Sequence, residues 1–387
     1  MRNAIGQSIL VWDPLGEMAG IGKCPLPKET PARSNGLARN GAGHTGGCMN
    51  AHSYLGIAFI VGLAAIANSQ TSLAQSYPSR PIQLVNSSAE GGAGDFVARL
   101  LADKLARPLG QPVSTDNRPG ASGITAAQSV ARAAPDGYTL LVGHTAELAI
   151  LQSLVKDLGY NPEKDLQPVA LVALFPLALV VKSTVPHATI QDMLAQSRSS
   201  GGGLVFASSG PGTPGYLAGE LLRLRTGSRL THVPYDGGGP AIENLLQGRV
   251  DFYFSSLAAA MPHLNSGQLK ALAVSTARRS TSLPNVPTMA ETGIRNFDLA
   301  LWVGVFAPRR TPREVVDRLN REINQILAQP DVRDRMAREG GEIAPMSPDQ
   351  FTAFIRSDAA RYAELIKDEF CSRLLFGGCL GFGALAD

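Results

Sequence analysis

Cysteine is scarce: Cys24, Cys48, Cys371 and Cys379 are the only four in 387 residues, and none lies between positions 48 and 371. A disulfide framework, a cysteine metal site and a cysteine nucleophile are thereby excluded from the body of the chain. Charge is also sparse, at 17% of residues with a net of +3, and no Lys/Arg-rich run appears, so nothing favours nucleic acid. The six histidines show no H-E-x-x-H spacing, which leaves zinc unsupported. No G-x-S-x-G elbow and no G-x-x-x-x-G-K-[ST] loop occurs, so the usual serine-hydrolase and mononucleotide signatures are missing. No cofactor is called for.

No apolar run is long enough to cross a bilayer. "LGIAFIVGLAAIA" (Leu55 to Ala67) has 13 residues, against the roughly 20 a spanning helix needs. Ser72-Leu73-Ala74 follows as a small-x-small cleavage pattern, so residues 49–75, opening at Met49, read as a signal peptide and export to the periplasm is expected. The competing reading is a buried apolar helix. Residues 1–48 are Gly/Pro/Ala/Asn-rich without periodicity and are expected to be a spurious extension from upstream of the true start. Residues 369–387, Gly/Phe/Leu-rich after the amphipathic "RYAELIKD", form an atypical tail.

Glycine is what the body has in useful places. "PIQLV" (Pro81 to Val85) reads as a buried strand, and Val97, Leu100, Leu101 and Leu105 follow helical spacing. Gly91, Gly92 and Gly94 therefore occupy a strand-to-helix turn, where backbone N–H groups and the positive helix end make an anion site. The anion is either a nucleotide phosphate or a carboxylate. For the nucleotide, G-x-G-x-x-G is half present: Gly92 and Gly94 fit and Asp116 could mimic the ribose acid, but Val97 stands at the third glycine position.

From Pro81 onward strand and helix signals alternate, which implies an α/β fold with mostly parallel sheets. Strands are expected at Tyr138–Gly143, Leu204–Ser208, Leu230–Tyr235, Val250–Phe254 and Leu269–Ser275. "PVALVALFPLALVVK" (Pro168 to Lys182) reads as two successive strands passing between sheets, and Leu301 to Pro312 as a second crossover. Helices follow over Pro312–Leu327, Pro330–Arg338 and Pro348–Ile366. Two crossings between two α/β lobes make a clamshell.

The ordered segments "GGAGDFVARLLADKL", "LGQPVSTDNRPGASG", "AAPDGYTLLVG", "ASSGPGTPGYLAGELL", "HVPYDGGGPAIENLLQGRVDF" and "WVGVFAPRRTP" decide the matter. From about Tyr77 to about Asp368 the chain resembles the Bug family of periplasmic solute-binding receptors of tripartite tricarboxylate transporters. The resemblance implies a two-lobed, type II periplasmic-binding-protein clamshell. Lobe 1 is expected over 76–180 plus 300–368 and lobe 2 over 181–299. It further implies a monomer that captures a small organic carboxylate and delivers it to membrane permease subunits, and so not an enzyme.

The expected site joins both lobes. From the first come Ser87, Ser88, Gly91 and Gly92, with Asp95 matching the family's acid at the helix start and Thr145 and Ala146 contributing from a neighbouring turn. From the second come Ser208, Ser209, Gly212 and Thr213, with Tyr235 and Asp236 on a third glycine-rich turn. The family's usual Pro-Phe-Pro-x-Gly-Gly loop is replaced by Ser87-Ser88-Ala89-Glu90 before Gly91, and Asp236 stands where a lysine is common. If Glu90 and Asp236 face the ligand, like charge disfavours a di- or tricarboxylate; the bland alternative is solvated loop tips. Three other functions compete. A sensor subunit would present the same lobes to a signalling protein. An enzyme would place its chemistry near His144 or His232, and a transcription-factor effector domain would need an N-terminal DNA-binding helix pair that residues 1–76 do not offer.

Overall fold

A computed structural model describes residues 77–199 and 203–371. The expected extension and leader, Cys24, Cys48, Cys379 and the tail beyond residue 371 lie outside the described residues.

The elements run β1 (Ile82–Asn86), α1 (Ala93–Leu109), β2 (Val113–Asn117), α2 (Ile124–Ala131), β3 (Thr139–His144), β4 (Leu166–Lys182), α3 (Ile190–Ser199), β5 (Leu204–Ser208), α4 (Pro214–Thr226) and β6 (Leu230–Pro234). They continue as α5 (Gly238–Leu246), β7 (Phe252–Ser256), α6 (Leu257–Asn265), β8 (Leu269–Val274), β9 (Ala300–Pro308), α7 (Arg313–Leu327), α8 (Pro330–Arg338) and α9 (Pro348–Leu365).

The strands build two lobes along one continuous path, β2-β1-β3-β9-β4-β7-β5-β6, with β8 added beside β4. In the first lobe β1 pairs in parallel with β2 and β3; in the second β5 pairs in parallel with β6 and β7. The antiparallel pairings fall at the crossover strands, β9 on β3 and β4 on β7, β8 and β9.

β4 is where the lobes join, and it differs from the expected pair of strands. It is a single strand of 17 residues. Leu166 to Pro176 pair with β9, and Leu177 to Val180 pair with β7. Pro176 has no N–H to donate, so it suits the position where one partner ends and the next begins. The return crossing comes earlier than the Leu301–Pro312 stretch suggested. Leu299 N–H donates to the Ser275 carbonyl at 3.1 Å, and β9 already lies wholly in the first sheet.

The apolar surface is buried in clusters, the largest of which runs through both lobes. In the first lobe, α7 turns Val315, Val316, Leu319, Ile323, Ile326 and Leu327 inward at helical spacing. Trp302, Phe306 and Phe351 pack edge-on or tilted against one another on the other face of β9. In the second lobe the ladder Phe206, Phe252, Phe254 and Phe297 fills the space behind the sheet.

Candidate ligand-binding site

The site is a cavity of about 60 Å³ between the lobes, at the carboxyl ends of the parallel strands. That is where open α/β sheets leave a crevice. Five helices of eight residues or more point their N-termini at it. α1 brings Gly92 and Ala93, and α2 brings Gly123. α4 brings Thr213, Pro214 and Gly215, α5 brings Gly237 and Gly238, and α6 brings Ser256.

Four of these termini carry no side-chain cap, at Gly92, Gly123, Gly237 and Ser256. The first-turn N–H groups of a helix have no intrahelical acceptor, so uncapped ends leave donors in need of a partner. α5 and α6 also lack an acidic residue in the first turn. Each terminus behaves as about half a positive charge. Among the described residues the wall contains no lysine or arginine, and its one acidic residue is Asp236. The positive field on this cavity therefore comes from the main chain.

The first-lobe loop is held open by its own polar groups. Asn86 is buried at the end of β1; its Nδ2 donates to Ser88 O at 2.9 Å and to Asn117 Oδ1 at 3.0 Å, and its Oδ1 accepts from Ser88 N at 3.2 Å. A Cβ on Gly94 would stand 2.4 Å from Ser88 Oγ, so only glycine lets the helix approach this closely. Ser87, Ser88 and Gly92 line the cavity. Gly91 and Asp95 do not: Asp95 Oδ2 accepts from Gly91 N at 3.1 Å, and Asp95 Oδ1 takes Arg99 Nε at 2.9 Å and Asn117 Nδ2 at 2.8 Å. Glu90 points away too, to Arg99 at 3.2 Å.

The second-lobe loop divides the same way. Ser209, Thr213 and Asp236 line the cavity, whereas Ser208, Gly212 and Tyr235 do not. Ser208 Oγ lies 2.7 Å from His232 Nε2 and accepts from Gly210 N at 3.1 Å. Burial pushes the His232 pKa down to about 4, which keeps the ring neutral. Thr213 Oγ1 donates to Gly210 O at 2.7 Å and accepts from Tyr216 N at 3.4 Å, capping α4. Gly212, at φ +74, packs against Leu151.

Thr145 and Ala146 also lie off the cavity; Thr145 Oγ1 accepts Trp302 N–H at 2.8 Å and so ties β3 to β9. Their neighbour His144 is in the wall. Its Nδ1 lies 2.7 Å from Glu147 Oε2, a fully buried oxygen with no other described partner, and 3.4 Å from the Ala146 N–H. The Glu147 carboxylate sits directly under Gly123, where a Cβ would meet it at 2.7 Å. Tyr253 is a further wall residue. Burial raises its phenol to about 12, offset in part by the hydroxyls of Ser209 and Ser255.

The expected list thus omitted the Pro119–Gly123 turn, His144, Tyr253 and Ser256. "RPGASG" carried a usable signal, two glycines just ahead of an apolar helix. Ser256 carried little, because α6 begins without a glycine.

The lobes meet on both rims of the cavity. Ser122 Oγ donates to Pro211 O at 2.7 Å across the cleft. On the opposite rim a Cβ on Gly237 would lie 2.8 Å from Ala89 Cβ, and one on Gly239 would lie 2.8 Å from Glu90 O. This is a closed arrangement.

Comparison with known proteins agrees with this fold. The family model described as "Tripartite tricarboxylate transporter family receptor" matches residues 97–370. Protein BugT of Bordetella pertussis is 38% identical over 296 residues, covering 76% of this chain and 91% of that one. Among solved structures, R. palustris Rpa4515 with adipate superposes with a TM-score of 0.73 at 34% identity, covering 75% of this chain and 97% of that one. MatC from Rhodopseudomonas palustris with bound malate gives 0.71 at 34%, over 75% and 100%. The periplasmic binding protein BugD gives 0.72 at 34%, over 76% and 98%.

Proposed function

Because the chain belongs to the tripartite tricarboxylate transporter receptor family, we propose that its five converging helix N-termini hold the carboxylate of a small organic anion. The observation that carries this reading is the set of uncapped termini around a cavity with no cationic side chain. A carboxylate taken from water must replace its lost hydrogen bonds, and charge-assisted bonds contribute about 1.5–3 kcal/mol each. Backbone donors at Ala93, Gly215 and Gly238, with the hydroxyls of Ser88, Ser209 and Ser256, are the groups placed to supply them, while the Ser87 hydroxyl is already given to Val142 O.

Closure then completes the site. Lobe 1 is read as 76–180 plus 300–368 and lobe 2 as 181–299, turning about β4 near Pro176 and the return near Leu299. The receptor acts in the periplasm after loss of a leader ending near Ala74 and hands its ligand, as a monomer, to the membrane permease subunits. It performs no chemistry on it. Ser208 and His232 are the described pair nearest to a nucleophile and base, but Ser208 is buried outside the cavity wall.

Isothermal calorimetry of the purified protein against a panel of small carboxylates tests this. One-to-one saturation by at least one carboxylate, weakened by Gly92→Leu, is the expected result. A panel with no binder, or binding indifferent to that substitution, overturns it.

A further inference from the structure

Two spaces meet at the mouth of this site. Beside the inner cavity of about 60 Å³ lies an outer hollow of about 540 Å³. Its walls come from both lobes: Ile124, Leu151 and Val155 from the first, Pro211, Tyr235 and Pro240 from the second. Ser122 and Asp236 are wall residues of both spaces.

From this pairing we infer that the ligand is an amphipathic monocarboxylate, with its carboxylate in the inner cavity and an alkyl or aryl body in the outer hollow. The inference rests on the carboxylate reading above and adds the chemistry of the rest of the molecule.

Volume decides the first half. A water occupies about 10–15 Å³ on this measure, so the inner cavity holds a carboxylate and a few atoms more. The body has to extend outward, and the hollow is the space that adjoins the cavity. Polarity decides the second half. Among the described residues the hollow has no lysine or arginine in its wall. Its side-chain hydroxyls are those of Ser122 and Tyr235, and the Ser122 hydrogen is already given to Pro211 O. A second carboxylate entering there would lose water and gain almost no donors. It would also face Asp236, which no hydrogen bond or ion pair to another described residue neutralises. The other nearby acid, Glu90, is turned outward to Arg99 and takes no part. An apolar body meets the opposite conditions, since each methylene placed against Ile124, Leu151 and Val155 leaves water at no polar cost.

The test uses matched probes: acetate and hexanoate for the body, and hexanoate against adipate or 4-methylbenzoate against terephthalate for the second charge. Calorimetry at low ionic strength should show hexanoate binding roughly tenfold or more tighter than acetate, at up to about fourfold per methylene. Each monocarboxylate should bind at least tenfold tighter than its dicarboxylate partner. Val155→Asn should shrink the hexanoate-to-acetate ratio, and Asp236→Lys should invert the mono-to-dicarboxylate ratio. Added salt should narrow that second ratio, because Asp236 is exposed. Equal or tighter binding of the dicarboxylates to the native protein overturns this inference while leaving the carboxylate reading intact. If no carboxylate of either kind binds, both fall together.

Discussion

The hydroxyl of Ser122 donates to the carbonyl oxygen of Pro211 at 2.7 Å, joining a first-lobe turn to a second-lobe turn across the cleft. Ser122 makes this bond from a costly backbone position. It has φ 53 and Ala121 has φ 47, between Gly120 at 126 and Gly123 at 98. Non-glycine residues held in the left-handed region cost on the order of 1–3 kcal/mol each. Ser122→Gly relieves the strain and deletes the bond. Its melting temperature should stay level or rise, while ligand affinity falls roughly fivefold, the worth of about one net hydrogen bond formed only on closure. A fall in both, or in neither, would show that this contact does not latch the lobes.

Gly239 probes closure from the other rim. Its φ is not in the left-handed region, and it lies in the first turn of α5, where alanine is favoured over glycine by up to about 1 kcal/mol. Across the cleft, though, the new Cβ would stand 2.8 Å from Glu90 O. Gly239→Ala should leave the unliganded protein at least as stable and weaken ligand binding tenfold or more. Small-angle scattering with saturating ligand should report a wider molecule than the native complex. Unchanged affinity would mean that the closed rim can yield there.

Thr213 separates holding a ligand from holding a helix. Its hydroxyl caps α4 through Tyr216 N, and loss of such a cap costs about 1 kcal/mol. Thr213→Val should therefore lower stability by about that amount, and Thr213→Ser should restore it. Chemical denaturation of both variants is the measurement. A Val variant as stable as the parent would release the hydroxyl for the ligand after all.

His232 sets an acid limit. Its folded pKa, about 4, lies below its ordinary 6.5. The unfolded chain therefore takes up this proton first as pH falls. The stabilisation is full above about pH 6.5, erodes between there and about 4, and is lost below. Melting temperature against pH should decline across that window, and His232→Gln should flatten the decline. Identical profiles would show that other groups set the acid limit.

These contacts also mark what can be read from residues alone. β5 and the C-terminal helices stood out because their apolar spacing is unbroken and their ends carry Pro or Gly: Pro330 opens α8 and Ser347 caps α9 with a full capping box. β2 is not legible in sequence, since "VSTDN" is polar and half-exposed at the sheet edge, so neither alternation nor an apolar run betrays it. Residues alone suggest two strands over Pro168 to Lys182; in the structure Pro176 marks a change of partner within one 17-residue strand. Of the candidate site, Ser87, Ser88, Gly92, Ser209, Thr213 and Asp236 are in the cavity wall, all on turns with a glycine signature. Ser208, Thr145 and Asp95 looked equivalent in sequence, but His232, Trp302 and Arg99 claim their polar atoms. Which of several neighbouring hydroxyls is left for a ligand depends on partners tens of residues away.

The position of β9 has a consequence for how the chain assembles. It lies between β3 and β4, although more than a hundred residues separate it from either in sequence. Until the segment Ala300–Pro308 arrives, the first sheet has two unpaired inner edges, at Thr139–His144 and Leu166–Pro176, both strongly apolar. Open apolar edges invite pairing with other chains. Closing so long a loop is also a slow route to a contact. The second sheet, built from nearer neighbours, is expected to form first, with Ala300–Pro308 closing the first sheet late as a keystone. A chain cut before residue 300 should collect in aggregates rather than as a soluble half-molecule.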